Sequence, residues 1–478
     1  MAESAKNLKS TAQISLLALA GLLVLSIIYF RERLFFADTA FIVFNIMEHK
    51  MLYIQEHRYG SFVTQLGPYI EVLCKAPVRV VLLTYAVGFN LFYLLTGLYA
   101  YWRRKYAFLL VLAFYYLLLV SDTFFWPNNE IHQAVAWMVL FFVVNFRMAE
   151  RKVPRWLAVP VFVLLAFFTI YTHFIVLLPL FFLWVFLWLQ GDYWPWERRY
   201  SWLLTGVLVA VVLSKFLVTR EHSYDEDHLH NITHMSLRDI YKAFTTPVVI
   251  NYLMRTLTNY WLGAIVCVWG IWELVRRKKT ALAAWCVVSI VGYFLLMGIA
   301  YSDYPADVLL FHVESEWQSM GIIMAVPFIF YVLPRLKERY GVVLVSLIFI
   351  VRFGYIIGGA GPFVRRYEGM EQVMGAMRQK HITKLMLRGK DADTKQYMFE
   401  WGVPDESILM SAMHRDNPQL TYGFLAEKDT VLEKQLGEPG RVYASFELTT
   451  ANGWNYDYFR PDTLHAYRVM TKEELLKK

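Results

Sequence analysis

Residues 101–152 read YWRRK YAFLLVLAFYYLLLV SDTFFWPNNE IHQAVAWMVLFFVVNF RMAERK. Two apolar runs, 106–120 and 131–148, flank a short loop that carries two acids, Asp122 and Glu130, and no Lys or Arg. Basic clusters close the block at both ends, Arg103-Arg104-Lys105 before it and Arg151-Lys152 after it. Runs of this kind are near the length a helix needs to cross a hydrocarbon layer about 30 Å thick. Lys and Arg collect in loops that stay inside. The block therefore predicts a helical hairpin in a membrane, with the acid loop outside.

The pattern extends in both directions. Further apolar runs fall at about 12–30, 79–102, 157–171, 174–189, 201–219, 258–275, 280–301, 318–334 and 340–358, which predicts eleven spans. Tyr171-Thr172-His173 is read as a tight turn that splits 157–189 in two. Basic loops recur at Lys6/Lys9, Arg155, Arg198-Arg199, Arg276-Arg277-Lys278-Lys279 and Arg335/Lys337/Arg339, whereas 302–317 has no Lys or Arg. With 157–189 split, every basic loop falls on one side, and the N-terminus is inside. The run 12–30 lacks a small-residue cleavage site and reads as an uncleaved first helix.

Composition agrees. Of 478 residues 57% are hydrophobic and 18% charged, too little charge to clothe a soluble protein of this length. The 16 Trp and 31 Tyr suit membrane interfaces and also the stacking faces of sugars. The net charge of +8 is loop charge that orients the chain, and no soluble segment carries a basic stripe with interleaved aromatics, so nucleic-acid binding is not expected. Three cysteines, Cys74, Cys267 and Cys286, make no disulfide framework, and residues 359–478 have none.

Three outer segments are long. Residues 31–78 contain an amphipathic stretch, Thr39 to His57, expected to lie on the membrane surface. Residues 220–257 form the second. Residues 359–478 have the composition of a soluble protein and read as a small α/β domain: helix-like EGMEQVMGAMRQ and TKQYMFEWG, strand-like KLMLRG, SILMSAM, RVYASFEL and LHAYRVM. The fold class expected is thus mainly α, a polytopic membrane domain (1–358) followed by an outer α/β domain (359–478).

Ionisable groups at membrane level are costly and mark function. Asp38, amid Phe35-Phe36-Ala37 and Thr39-Ala40-Phe41, is a desolvated carboxylate whose pKa should rise, making a better base. It is also placed to cap the helix that follows. Asp122 and Glu130, with His132, are helix-start acids or a pair able to bind a divalent cation (Mg or Mn) or to steer an acceptor hydroxyl. His173 stands in a turn. His312, Glu314 and Glu316, with Asp303 and Asp307 nearby, make another acid-rich outer loop. His222, His228, His230 and His234 have no diagnostic metal spacing and read as a solvated loop. Lys215, Arg220, Arg255 and Arg352 form a basic outer set, each explained by snorkelling and jointly able to grip a lipid phosphate. Trp454, Tyr456, Tyr458 and Arg460 form a patch for a glycan or for docking.

This layout resembles the GT-C superfamily of membrane glycosyltransferases, which includes protein O-mannosyltransferases and the aminoarabinose transferases of lipid A. The shared features are an inside N-terminus, a large first outer loop with an acid soon after helix one, acids in the second outer loop, and a terminal outer domain. The resemblance implies that Asp38 is the base, that Glu130 or Asp122 is the second-loop acid, and that the donor is a polyprenyl-phosphate-linked sugar whose phosphate the basic set holds. The acceptor would be a glycan, lipid or protein, and one displacement would invert the anomeric centre. The lack of cysteines in residues 359–478 fits a bacterial periplasm better than an endoplasmic reticulum, so the expected location is a bacterial inner membrane with the C-terminus periplasmic. Many relatives carry two adjacent acids where this chain has Asp38-Thr39. Alternative readings are a transporter or flippase, an O-antigen polymerase or ligase, and a non-catalytic scaffold.

Overall fold

The computed structural model describes residues 2–191, 194–219, 226–302, 304, 310–388, 394–426, 430–450 and 453–477. The chain is mainly helical, with a few short strands near its C-terminal end. Eight helices are long and apolar enough to cross a membrane: Leu8–Ile28, Val78–Trp102, Glu130–Glu150, Arg155–Thr172, Arg198–Val218, Thr280–Ala300, Glu314–Arg335 and Glu338–Gln379. The shorter apolar helices Tyr106–Leu118 and Phe174–Gln190, and the helix Trp261–Arg276, occupy the other three apolar runs. Helix is the form that such runs must take where no water is at hand to bond the backbone.

Glu314–Arg335 is the inner rod of the bundle, with 94% of its apolar window buried. It is irregular. Pro327 ends the regular part and a wider turn covers Phe328–Val332. Gly270 of the neighbouring helix packs here, where a Cβ would lie 2.7 Å from the Phe328 nitrogen.

Contacts sort the helix ends into two sets. At one end Ser10 bonds Glu338 and Gln13 donates to Tyr101 at 3.1 Å, Lys105 pairs with Glu150, Phe146 packs on Trp194 at 6.1 Å and Arg155 pairs with Glu197 at 3.2 Å, and Arg335 lies beside Glu273, Arg276 and Arg277. At the other end Trp126 meets Asp38, Arg58 meets Glu130, and Ser121 meets Glu314. The basic loops and the first helix's N-terminal part therefore share one end, and the acid loops share the opposite one. The exposed pair Arg155–Glu197 adds little stability; here these contacts serve to mark neighbours.

The apolar helix Glu338–Gly358 passes with hardly a break into the polar helix Ala360–Gln379, which carries the chain into the C-terminal unit. Three parallel strands, β1 (Lys384–Arg388), β2 (Thr421–Leu425) and β5 (Arg468–Met470), lie in the order β2-β1-β5. An antiparallel pair, β3 (Arg441–Ala444) and β4 (Glu447–Thr450), makes a hairpin. The segment SILMSAM is not a strand. It belongs to the helix Val403–His414 between β1 and β2, the crossover that parallel strands need. Pro404 with acids in the first turn starts it, and burial all round hid the helical period. TKQYMFEWG is helical only in pieces, at Thr394–Tyr397 and Glu400–Gly402.

The amphipathic stretch does not lie on a membrane surface. Its helix, Asp38–His49, is buried at every position from Thr39 to Met47, because apolar side chains surround it and such helices seek cover on all sides. The C-terminal unit supplies the roof. Phe44 stacks edge-on to Trp454 at 5.6 Å and against Phe459 at 4.9 Å. Asn455 Nδ2 donates to the Met47 carbonyl at 2.5 Å, and Tyr458 donates to the Ala76 carbonyl at 3.0 Å. The Trp454/Tyr458 patch is thus a docking surface, with Tyr456 exposed at its margin.

Candidate functional site

Asp38 is the first residue of its helix. The cap position is Ala37, at φ 42° and ψ −113°, with no side-chain cap bond. The carboxylate is therefore not a cap; its Oδ2 accepts a hydrogen bond from Trp126 Nε1 at 2.9 Å. Trp126 comes from the second acid loop. The same loop ends at Asn129, whose side chain accepts from the Ile131 N–H at 3.2 Å and starts the helix Glu130–Glu150. This places Glu130 beside Arg58, with Nη1 to Oε2 at 2.7 Å.

These groups face one cavity of about 410 Å³ at the acid-loop end of the bundle, within the usual range for small-molecule sites. Asp38, Arg58, Glu130, His173, His312 and Glu316 contribute polar walls. The rest is largely aromatic: Phe41, Trp126, and from the C-terminal unit Phe399, Trp401 and Phe446. Asp38 is half-buried, with protein around it and the cavity before it. Burial first, and then the Glu130 carboxylate, push its carboxyl up to about 6, against the pull of Trp126 and Arg58. Burial holds the His312 imidazole down to about 4, so it is neutral near pH 7.

Other expected site residues lie elsewhere. Asp122 lines a separate groove with Asn259, Tyr355 and Gly358; burial and the Glu314 carboxylate push its carboxyl well above the usual range. Glu314 is buried and accepts from Ser121 N at 2.5 Å, Thr123 N at 3.0 Å and Tyr260 at 3.0 Å, fastening the acid loop to the inner rod. His132 is buried against Tyr115, 3.1 Å from Nδ1 to the hydroxyl, away from the cavity. His173 lines the cavity while its Nδ1 accepts from the Ile175 N–H at 3.2 Å.

Among the described residues, Lys215, Arg255 and Arg352 of the basic set do not line the cavity. Arg352 is buried and donates to the carbonyls of Leu117 at 2.7 Å, Val120 at 2.8 Å and Asn259, stitching loose helix ends. Arg255 lies near Asp122 and Tyr260. Lys215 donates to the Glu56 carbonyl at 3.4 Å behind the cavity wall. Arg220, His222, Asp303 and Asp307 lie outside the described residues. Among the described residues no group of three or more His, Cys, Asp or Glu side chains is placed to hold a metal ion.

Sequence reasoning missed Arg58, whose only signal was its place in the first outer loop, and the aromatics Phe399, Trp401 and Phe446. No family model, curated protein or solved structure matches the chain.

Proposed function

We propose that this chain is a membrane glycosyltransferase of GT-C type, with about eleven spanning helices, that moves a sugar from a polyprenyl-phosphate donor to an acceptor hydroxyl on the outer face. The basic loops and N-terminus would be cytoplasmic, and the cavity and C-terminal unit periplasmic in a bacterial inner membrane. One observation carries the reading: an Asp38 carboxyl poised near 6 opens onto an aromatic cavity at the end of the bundle that lacks basic loops. A base works best with a pKa close to ambient pH, and aromatic faces stack on the apolar faces of sugar rings.

In the step proposed, Asp38 accepts the proton of the acceptor hydroxyl as its oxygen bonds to the anomeric carbon. The bond from that carbon to the phosphate oxygen breaks, and the electron pair leaves with the phosphate. Arg58, on the cavity wall, and Lys215, behind it, would be the cations that meet that charge. One displacement inverts the centre. The test is transfer from labelled polyprenyl-phosphate sugar by purified protein and by Asp38→Asn. The variant should lose roughly 10²–10⁴-fold in rate. Full activity in a folded variant removes Asp38 from the mechanism, and flux across vesicles without turnover replaces the enzyme with a transporter.

A further inference from the structure

The turn that delivers Asp38 is held from the far end of the chain. Ala37 sits at φ 42° and ψ −113°, a conformation few side chains adopt and one that persists only where its surroundings over-determine it. Here Glu406 Oε1 accepts from the Ala37 N–H at 2.6 Å. Arg366 Nη1 donates to the Phe35 carbonyl at 2.6 Å. The two side chains pair through two bonds of 2.5 and 2.8 Å, at 1% and 0% exposure. Arg366 also donates to the carbonyls of Tyr397 at 2.7 Å and Phe399 at 3.2 Å, fixing the segment that puts Phe399 on the cavity wall. Gly402 presses on the same turn: a Cβ there would lie 2.7 Å from Ala37 Cα.

Burying an ion pair is a poor route to stability, because desolvation offsets the attraction. The geometry points to Arg366 and Glu406 as positioning residues for the proposed transfer. They set the backbone of residues 35–37, hold the Asp38 carboxylate against Trp126, and make the C-terminal unit part of the site. The catalytic consequence rests on the reading of Asp38 as the base; its placement can be tested without that reading.

The readout is the titration of Asp38, taken from stability. Unfolding of the full chain and of Asp38→Asn in detergent is compared from about pH 4 to 8. The gap between them opens as Asp38 ionises, while Glu130, Arg58, Glu56, His173, His312 and Glu316 around the cavity are common to both chains. The comparison is repeated with Glu406→Gln and with Gly402→Ala, whose added Cβ would lie 2.7 Å from Ala37 Cα and 2.8 Å from Glu406 Oε1, so that it disturbs the turn and its Glu406 contact while leaving both charges of the pair in place. In either variant that folds, the midpoint of the gap should fall by about one pH unit or more as the carboxylate reaches water. Transfer should lose roughly 10- to 100-fold in kcat with KM for the lipid donor unchanged. An unaltered gap in a folded variant overturns the proposal. An altered gap with transfer untouched keeps the positioning and sinks the assignment of Asp38 as base.

Discussion

Replacing Asp38 by Asn should stabilise the protein while it stops transfer. The magnitude follows from the site. Burial lifts the carboxyl from an ordinary 3.8 to about 6, and each tenfold in proton affinity corresponds to about 1.4 kcal/mol. Between these values the folded chain holds a proton that the unfolded chain has released. Stability therefore falls as pH rises through this window and levels above about 6. At neutral pH the ionised carboxylate costs the fold about 3 kcal/mol, an upper value because one side of it meets the cavity. Asparagine removes that cost and keeps an oxygen for Trp126 Nε1. Denaturant unfolding in detergent at about pH 7.5 should show Asp38→Asn more stable by up to this amount, and the difference should vanish near pH 4. An Asn variant no more stable at the higher pH, or a difference indifferent to pH, refutes the account of a desolvated carboxylate.

Other perturbations follow the same geometry. Trp126→Phe removes the bond that favours the charged Asp38, so the acidic limb of the pH–rate profile should move up by roughly one unit. Glu130→Gln removes the neighbouring negative charge, so that limb should move down; a limb that stays near 6 in both variants assigns it to another group. Arg58→Gln should lower kcat at least as much as it raises KM for the lipid donor, read from steady-state transfer, because the charge assigned to it grows as the phosphate leaves. Gly298→Ala would set a Cβ 2.1 Å from the Ala243 carbonyl oxygen and should destabilise by about 1–3 kcal/mol through overpacking, measured as a lower unfolding midpoint with no change in pH profile.

How far the sequence is legible varies by element. Apolar runs and basic loops are local signals, so each run coincides with a helix, and the neighbours at each end of the bundle match the charge pattern. Asp38 was singled out because a carboxylate among phenylalanines is locally conspicuous. Arg58 sits in QEHRYG, where nothing local distinguishes an ion pair across 72 residues from a solvated cation. Arg352 shows why the basic set is hard to read locally: a cation near a helix end looks alike whether it meets a ligand or, as here, caps carbonyls of other helices. SILMSAM and the stretch after Asp38 failed for one reason: complete burial erases the period that tells strand, surface helix and core helix apart.

The roof over the helix Asp38–His49 has a consequence for biosynthesis. Its partners lie far along the chain: Ala37 waits for Glu406, 369 residues later. At ordinary elongation rates that delay is roughly 20–70 s, during which Phe41 and Phe44 have no protein cover from above. A nascent or prematurely terminated chain ending before β1 therefore displays an apolar, unlatched helix and lacks the cavity wall that Phe399, Trp401 and Phe446 supply.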